Sequence, residues 1–125
     1  MVVKLDGEPM KLIHFKLSEF ECPCCKVQDM DNEFLMRLDA ARAIARIPFN
    51  ITSGYRCIPH NADVGGEFNS RHLLGEAVDI AVTDPEQRAL ILDALKQAGL
   101  TSFALSKEHS FLHVDTFERH WIGIY

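Results

Sequence analysis

The sequence predicts an α+β fold, a small antiparallel sheet with flanking helices, and three observations predict it. Two segments carry apolar residues at helical spacing, one from Asp31 to Ala45 and one from Pro85 to Ala98. Five short apolar runs, 49–52, 77–82, 102–105, 111–116 and 121–125, read as strands. Helices and strands follow one another without the regular βα alternation that builds a parallel sheet. The chain has 125 residues, which suits one domain spanning 1–125.

Taken in order, residues 1 to 30 are irregular. HFKLSEFECPCC alternates apolar positions but contains Pro23, so a short strand or loop packed on the body is expected there. Phe34, Leu35, Leu38, Ala41 and Ile44/Ala45 then recur at helical spacing from Asp31, and Pro48 stops the run. FNIT (49–52) enters the turn SGYR as a strand. CIPHNADVGGEFNSR (57–71) is rich in Gly, Asn and Ser and reads as a loop. AVDIAV (77–82) is a buried strand. Asp84-Pro85 supplies an N-cap and a first-turn proline, Ile91, Leu92 and Leu95 form a stripe, and Gly99 ends the helix. SFAL, FLHVDT and WIGIY complete the strands.

Composition excludes several classes. Hydrophobic residues at 47% and charged residues at 25% describe a soluble globular chain. No segment approaches the ~18 uninterrupted apolar residues of a membrane span. Met1 to Phe15 carries Asp6, Glu8 and Lys11 and has no secretory h-region, so the chain is expected to be made in the cytoplasm. The net charge of −5 argues against nucleic acid, which calls for a basic stripe. Nothing in the sequence calls for an oligomer, and a monomer is expected.

Three of the four cysteines, Cys22, Cys24 and Cys25, stand together, and Cys57 stands apart. Adjacent Cys24 and Cys25 rarely bridge each other, and a chain this apolar does not need a disulfide framework. Buried reduced thiols are the simplest expectation. The cluster could instead hold a second, structural zinc with Cys57 or His14 as a further ligand. Cys22 and Cys25 have C-x-x-C spacing, but no thioredoxin-like βαβ context follows.

Three residues stand out, His72, Asp79 and His113, whose spacing alone leaves a metal site and a purely structural role equally open. Zinc takes neutral imidazole and carboxylate ligands, and catalytic sites use three protein ligands and leave a position open. Strand alternation puts Val78, Ile80 and Val82 on the core face and Asp79 on the other, between two alanines. In FLHVDT the same alternation sets His113 and Asp115 side by side, opposite Leu112 and Val114. A carboxylate inside a valine-rich strand is expensive unless something pairs it.

SGYRCIPHNADVGGEFNSRHLLGEAVDI closely resembles the core motif of the zinc D-Ala-D-Ala carboxypeptidase and L-Ala-D-Glu endopeptidase family, a group of murein hydrolases that includes phage endolysins. The matching pieces are Ser53 to Arg56, His60-Asn61, Val64 to Gly66, Ser70 to Asp79, and His113 to Asp115, and the resemblance as a whole covers about residues 15 to 116 of the single domain. The resemblance implies His72, Asp79 and His113 as ligands of one catalytic zinc. It also implies the small α+β fold shared by these peptidases and the hedgehog signalling domain. The substrate it implies is the stem peptide of peptidoglycan, cut at bonds that involve D-residues, after release of the protein or its delivery by a phage particle.

Such an ion would polarise the scissile carbonyl and activate water. Arg56 could clamp a substrate carboxylate with its planar fork, and Ser70 could bond substrate or order the loop. His60 is expected to orient the loop, and Gly65, Gly66 and Gly75 to serve the backbone. Many relatives carry an acid three residues before the last zinc histidine, where this chain has Ser110. Asp115 is therefore the first candidate for the general base, or a carboxylate behind a ligand, and Glu108 the second, with His109 beside it on the loop. Two other readings stand beside the enzyme: a zinc-bearing cell-wall module that has lost catalysis, and a structural phage protein.

Overall fold

The computed structural model describes residues 12–66, 70–106, 108, 110–116 and, for the backbone, 122–124. The expectations for the first eleven residues and for His109 lie outside them. Among the described residues three helices, α1 (Asn32–Ala45), α2 (Ile58–Asp63) and α3 (Pro85–Gln97), accompany five strands. These are β1 (Asn50–Ser53), β2 (Ala77–Ala81), β3 (Ser102–Leu105), β4 (Phe111–Asp115) and β5 (Ile122–Ile124), in the spatial order β1-β2-β4-β3-β5. The fold is α+β.

Helix boundaries follow the local chemistry. The Asp31 carboxylate accepts from the Phe34 N–H at 3.0 Å and caps α1. Asp84 does the same for α3 through the Gln87 N–H at 2.8 Å, with Pro85 in the first turn. Before α1, Leu17–Phe20 forms one 3₁₀ turn and buries Phe20. The stretch expected as loop over 57–71 is partly helical. It contains α2, with Pro59 in its first turn, and runs into a 3₁₀ turn, Arg71–Leu74. Only Asn61 of α2 is buried and Ile58 is exposed, so no apolar stripe announces this helix.

β1 through β4 pair antiparallel, as expected, but β5 runs parallel to β3. Topology gives the reason. β3 lies between β4 and β5 and opposes β4, so β5, which also opposes β4, runs parallel to β3. No helix among the described residues is long and apolar enough to cross a membrane.

One core joins α1, α3 and one face of the sheet. Phe34, Leu35 and Leu38 of α1 and Ile91 and Leu95 of α3 pack with Val78, Ile80, Phe103, Leu112 and Val114 of the strands. Each large side chain buried this fully contributes about 1.5–3 kcal/mol by leaving water. Because successive strand residues alternate faces, this packing commits Asp79, His113 and Asp115 to the other face.

Candidate metal centre

Asp79 and His113 are paired in register across β2 and β4, and Ala77 is paired with Asp115. The small residues expected beside Asp79 are Ala77 and Ala81, and Ala104 of β3 flanks His113 on its other side. His72 comes from the 3₁₀ turn. The Ser70 hydroxyl oxygen accepts the His72 backbone N–H at 3.2 Å and starts that turn. Gly75 closes it with φ +69°, where a Cβ would collide with the Asp29 carbonyl oxygen.

His72, Asp79 and His113 are buried, and their ligand atoms lie within 4.8 Å of one another. His72 Nδ1 is 2.7 Å from the Gly54 carbonyl oxygen. A carbonyl only accepts, so Nδ1 carries a proton, and in the neutral ring Nε2 keeps its lone pair. That Nε2 is fully buried without a hydrogen-bond partner and faces Asp79 Oδ1 at 3.3 Å. His113 makes the mirror arrangement. Its Nε2 is 2.7 Å from Asp115 Oδ2 and its Nδ1 is 2.9 Å from Asp79 Oδ1. A neutral His113 that donates to Asp115 turns a second lone pair on the same carboxylate oxygen.

Three acceptors aimed at one another repel unless a cation or protons stand among them. Ligand atoms of a tetrahedral zinc ion sit roughly 3.3 Å apart, given bonds of ~2.0 Å. The His72–Asp79 separation equals that figure, the His113–Asp79 separation of 2.9 Å is a little shorter, and all three ligand atoms lie within 4.8 Å of one another, so the residues fit a divalent ion. Without one, protons take its place. Burial disfavours the His113 cation, but the carboxylates of Asp115 and Asp79 outweigh it and raise the pKa. Burial likewise disfavours the Asp79 anion, but the adjacent imidazoles of His113 and His72 outweigh it and hold its carboxyl well below the usual range.

Arg56 leans over the outer side of Asp79. Its Nη2 is 3.3 Å from Asp79 Oδ2, while Nε donates to the Ser53 hydroxyl at 3.1 Å and Nη1 to Asn61 Oδ1 at 3.3 Å. The Arg56 backbone N–H donates to the His72 carbonyl at 3.1 Å, which ties the SGYR turn to the ligand loop. Gly54 lets that turn lie on the N-terminal segment, since a Cβ there would come within 2.8 Å of the Phe20 backbone. His60 sits half-buried in α2 and gives its carbonyl to the Val64 N–H.

The structure thus brings Arg56, Ser70, Asp115 and the three ligand candidates into one neighbourhood. Glu108 is exposed on the turn between β3 and β4. Ser110 is held through its backbone: its N–H donates to the Ser106 hydroxyl at 2.9 Å and its carbonyl accepts from Val82 at 3.1 Å. Sequence reasoning gave no role to the Gly54 carbonyl or to Ser53 and Asn61. Asn61 had a signal, as a polar residue inside the quoted motif, and it proves to be buried.

The four cysteines form a second group. Their sulfur atoms lie within 4.8 Å of one another, with Cys22–Cys24 at 3.6 Å, Cys22–Cys57 at 3.5 Å and Cys24–Cys57 at 3.0 Å. Cys22 is buried, Cys57 is half-buried, and Cys24 and Cys25 are exposed, so the expectation of buried thiols holds for Cys22 alone. Burial opposes the Cys22 thiolate, but the backbone N–H groups of Cys57 and Cys24 and the neighbouring thiols draw it down to about 6. The Cys57 thiol, burial and the Cys22 charge push Cys24 up to about 12.

A two-layer α+β chain with a buried His-Asp-His cluster on the open sheet face is the frame of a metal-dependent hydrolase. A family model described as Peptidase M15 matches residues 13–115, and the chain belongs to that family of metal-dependent peptidases. No curated protein matches it.

Proposed function

We propose that the protein is a zinc peptidase that cuts peptide bonds involving D-residues in the stem peptides of peptidoglycan, acting on the wall after release or delivery by a phage particle. The observation that carries the reading is the buried, partnerless His72 Nε2 facing Asp79 Oδ1, with His113 Nδ1 on the same oxygen. His72, Asp79 and His113 would hold the ion. When bound, it supplies a Lewis acid that polarises the scissile carbonyl and acidifies water.

The chain's own residues do the rest. Gly54 fixes the His72 tautomer and Asp115 that of His113, so both imidazoles offer a lone pair. Three of the five Arg56 donors serve Ser53, Asn61 and Asp79, which leaves donors for a substrate carboxylate. Ser70 uses its oxygen on the His72 N–H and keeps its O–H to donate. With Asp115 engaged on His113, we read it as the positioning carboxylate. Glu108, exposed on the turn before β4, is then the residue that would swing over bound substrate to carry the proton from water to the leaving amine.

The test is digestion of purified peptidoglycan and its soluble muropeptides, read by mass spectrometry, with and without chelator. Cleavage at D-residue bonds that stops on chelation and returns with zinc is the expected result. A second reading, a zinc-bearing wall-binding module, draws on Ser110, which stands where relatives carry an acid. Retention on peptidoglycan with metal bound and no cleavage product would select it. Absence of both binding and cleavage would leave a structural scaffold.

A further inference from the structure

The Cys22–Val27 segment is a tight turn closed by two backbone hydrogen bonds. Cys22 N–H donates to the Val27 carbonyl and Lys26 N–H to the Cys22 carbonyl, both at 2.8 Å. Lys26 takes φ +60°, a left-handed conformation that non-glycine residues seldom adopt. The turn carries three cysteines, two of them at the C-x₂-C spacing of structural zinc sites. Backbone amides serve the sulfurs: those of Cys24 and Cys57 act on Cys22, and that of Val27 on Cys25. The fourth cysteine arrives from elsewhere in the chain, as the residue before α2 and directly after Arg56.

We propose that Cys22, Cys24, Cys25 and Cys57 hold a second metal ion, a soft divalent cation of which zinc is the first choice, that staples the N-terminal turn to the start of α2. Sulfur atoms around a tetrahedral zinc ion lie roughly 3.8 Å apart, given Zn–S bonds of ~2.3 Å. Two of the three pairs given above fall close to that value, and the Cys24–Cys57 pair needs to open slightly. His14, the other ligand the sequence offered, is outside the group. Binding replaces four S–H protons with one dication, so it releases up to four protons and leaves the site dianionic.

The staple has a purpose in the fold. Tyr55 N–H donates to the Phe20 carbonyl at 2.9 Å, and Gly54, whose carbonyl fixes the His72 tautomer, rests on Phe20. The metal would clamp both ends of this contact, one through Cys22 and the other through Cys57. The turn that carries Arg56 is then held between two metal sites.

Cobalt substitution tests this separately from the peptidase reading, because only thiolates give an intense sulfur-to-cobalt charge-transfer band in the near ultraviolet. Protein prepared with reductant is loaded with Co²⁺, as wild type and as His72→Ala. The band is expected in both, since His72→Ala disturbs only the other centre. Cys25→Ser should weaken and shift it. Zinc analysis should give one equivalent for each group in wild type and lose one in His72→Ala. Thiols that react with Ellman's reagent in step with zinc release would agree. A wild-type cobalt spectrum without the band, with four thiols reacting at once and no metal released, overturns the proposal. So does an intact mass lower by one disulfide with Cys24 joined to Cys57. Because the wild type alone decides, a Cys25→Ser protein that fails to fold leaves the answer intact.

Discussion

Asp79 and His113 face each other in register across two antiparallel strands, with Oδ1 and Nδ1 2.9 Å apart. Their geometry is therefore written into the sheet. A slip of one residue in the β2–β4 register would send one of them into the core. The core residues Val78, Ile80, Leu112 and Val114 forbid that slip, because they occupy the alternate positions of the same strands.

The role of Asp115 can be separated from that of a base by Asp115→Asn. Its Oδ2 is 2.7 Å from His113 Nε2, so the amide keeps the shape and loses the charge. As a positioning residue it should cost ~10–100-fold in metal affinity, with activity largely restored by excess zinc. Glu108→Gln should instead lower kcat by ~10²–10⁴ with zinc fully retained. The reverse pattern would make Asp115 the base.

Arg56→Lys should keep the metal and raise KM. A lysine offers a point charge where the guanidinium offers a fork. Loss of one charge-assisted bond, worth about 1.5–3 kcal/mol, corresponds to roughly a 10–100-fold fall in kcat/KM. Should the variant lose zinc while KM stays constant, Arg56 acts on Asp79 and not on substrate.

Stability should respond to pH with opposite signs in the two metal states. In the metal-free protein the pKa of His113 is raised, so its protonated form adds stability that is full below ~6.5 and is lost as pH rises through the folded value. Asp79 is shifted down, so its contribution is present above ~3.9 and is lost as pH falls through its folded value. Chelated protein should melt highest in the mildly acidic range. Zinc must displace the proton on His113 Nδ1, so its stabilisation grows with pH over the same interval. Melting curves from about pH 5 to 9 should show a falling Tm with chelator and a rising zinc-dependent increment. Parallel curves would remove His113 from the ligand set.

Gly75→Ala should destabilise the fold by about 2–5 kcal/mol, the sum of left-handed strain and a steric clash. The Gly75 carbonyl accepts the Asp31 N–H at 2.8 Å, so the chain entering α1 passes directly over the site of the new methyl. Urea unfolding with an unchanged m value is the measurement. A shift below ~1 kcal/mol would mean that the Asp29–Met30 backbone moves aside.

Much of this molecule was legible in its sequence, for a definite reason. Strand and helix periods are local, so AVDIAV announced a core face and Asp79 opposite it, FLHVDT announced His113 beside Asp115, and Asp84-Pro85 announced a helix start. These patterns, with the motif from Ser53 to Asp79, gave the α+β class, the three ligand candidates and Arg56. Contacts between distant segments carry no such period, and the tertiary structure alone decided them. It placed the Gly54 carbonyl on His72 Nδ1 and so chose the free nitrogen. It set Asp115 on His113, hid α2 behind a stretch with no apolar stripe, and turned β5 parallel to β3. It also brought Cys57 to the cysteine turn, 35 residues away along the chain from Cys22, because only the folded backbone lays the start of α2 against the N-terminal segment.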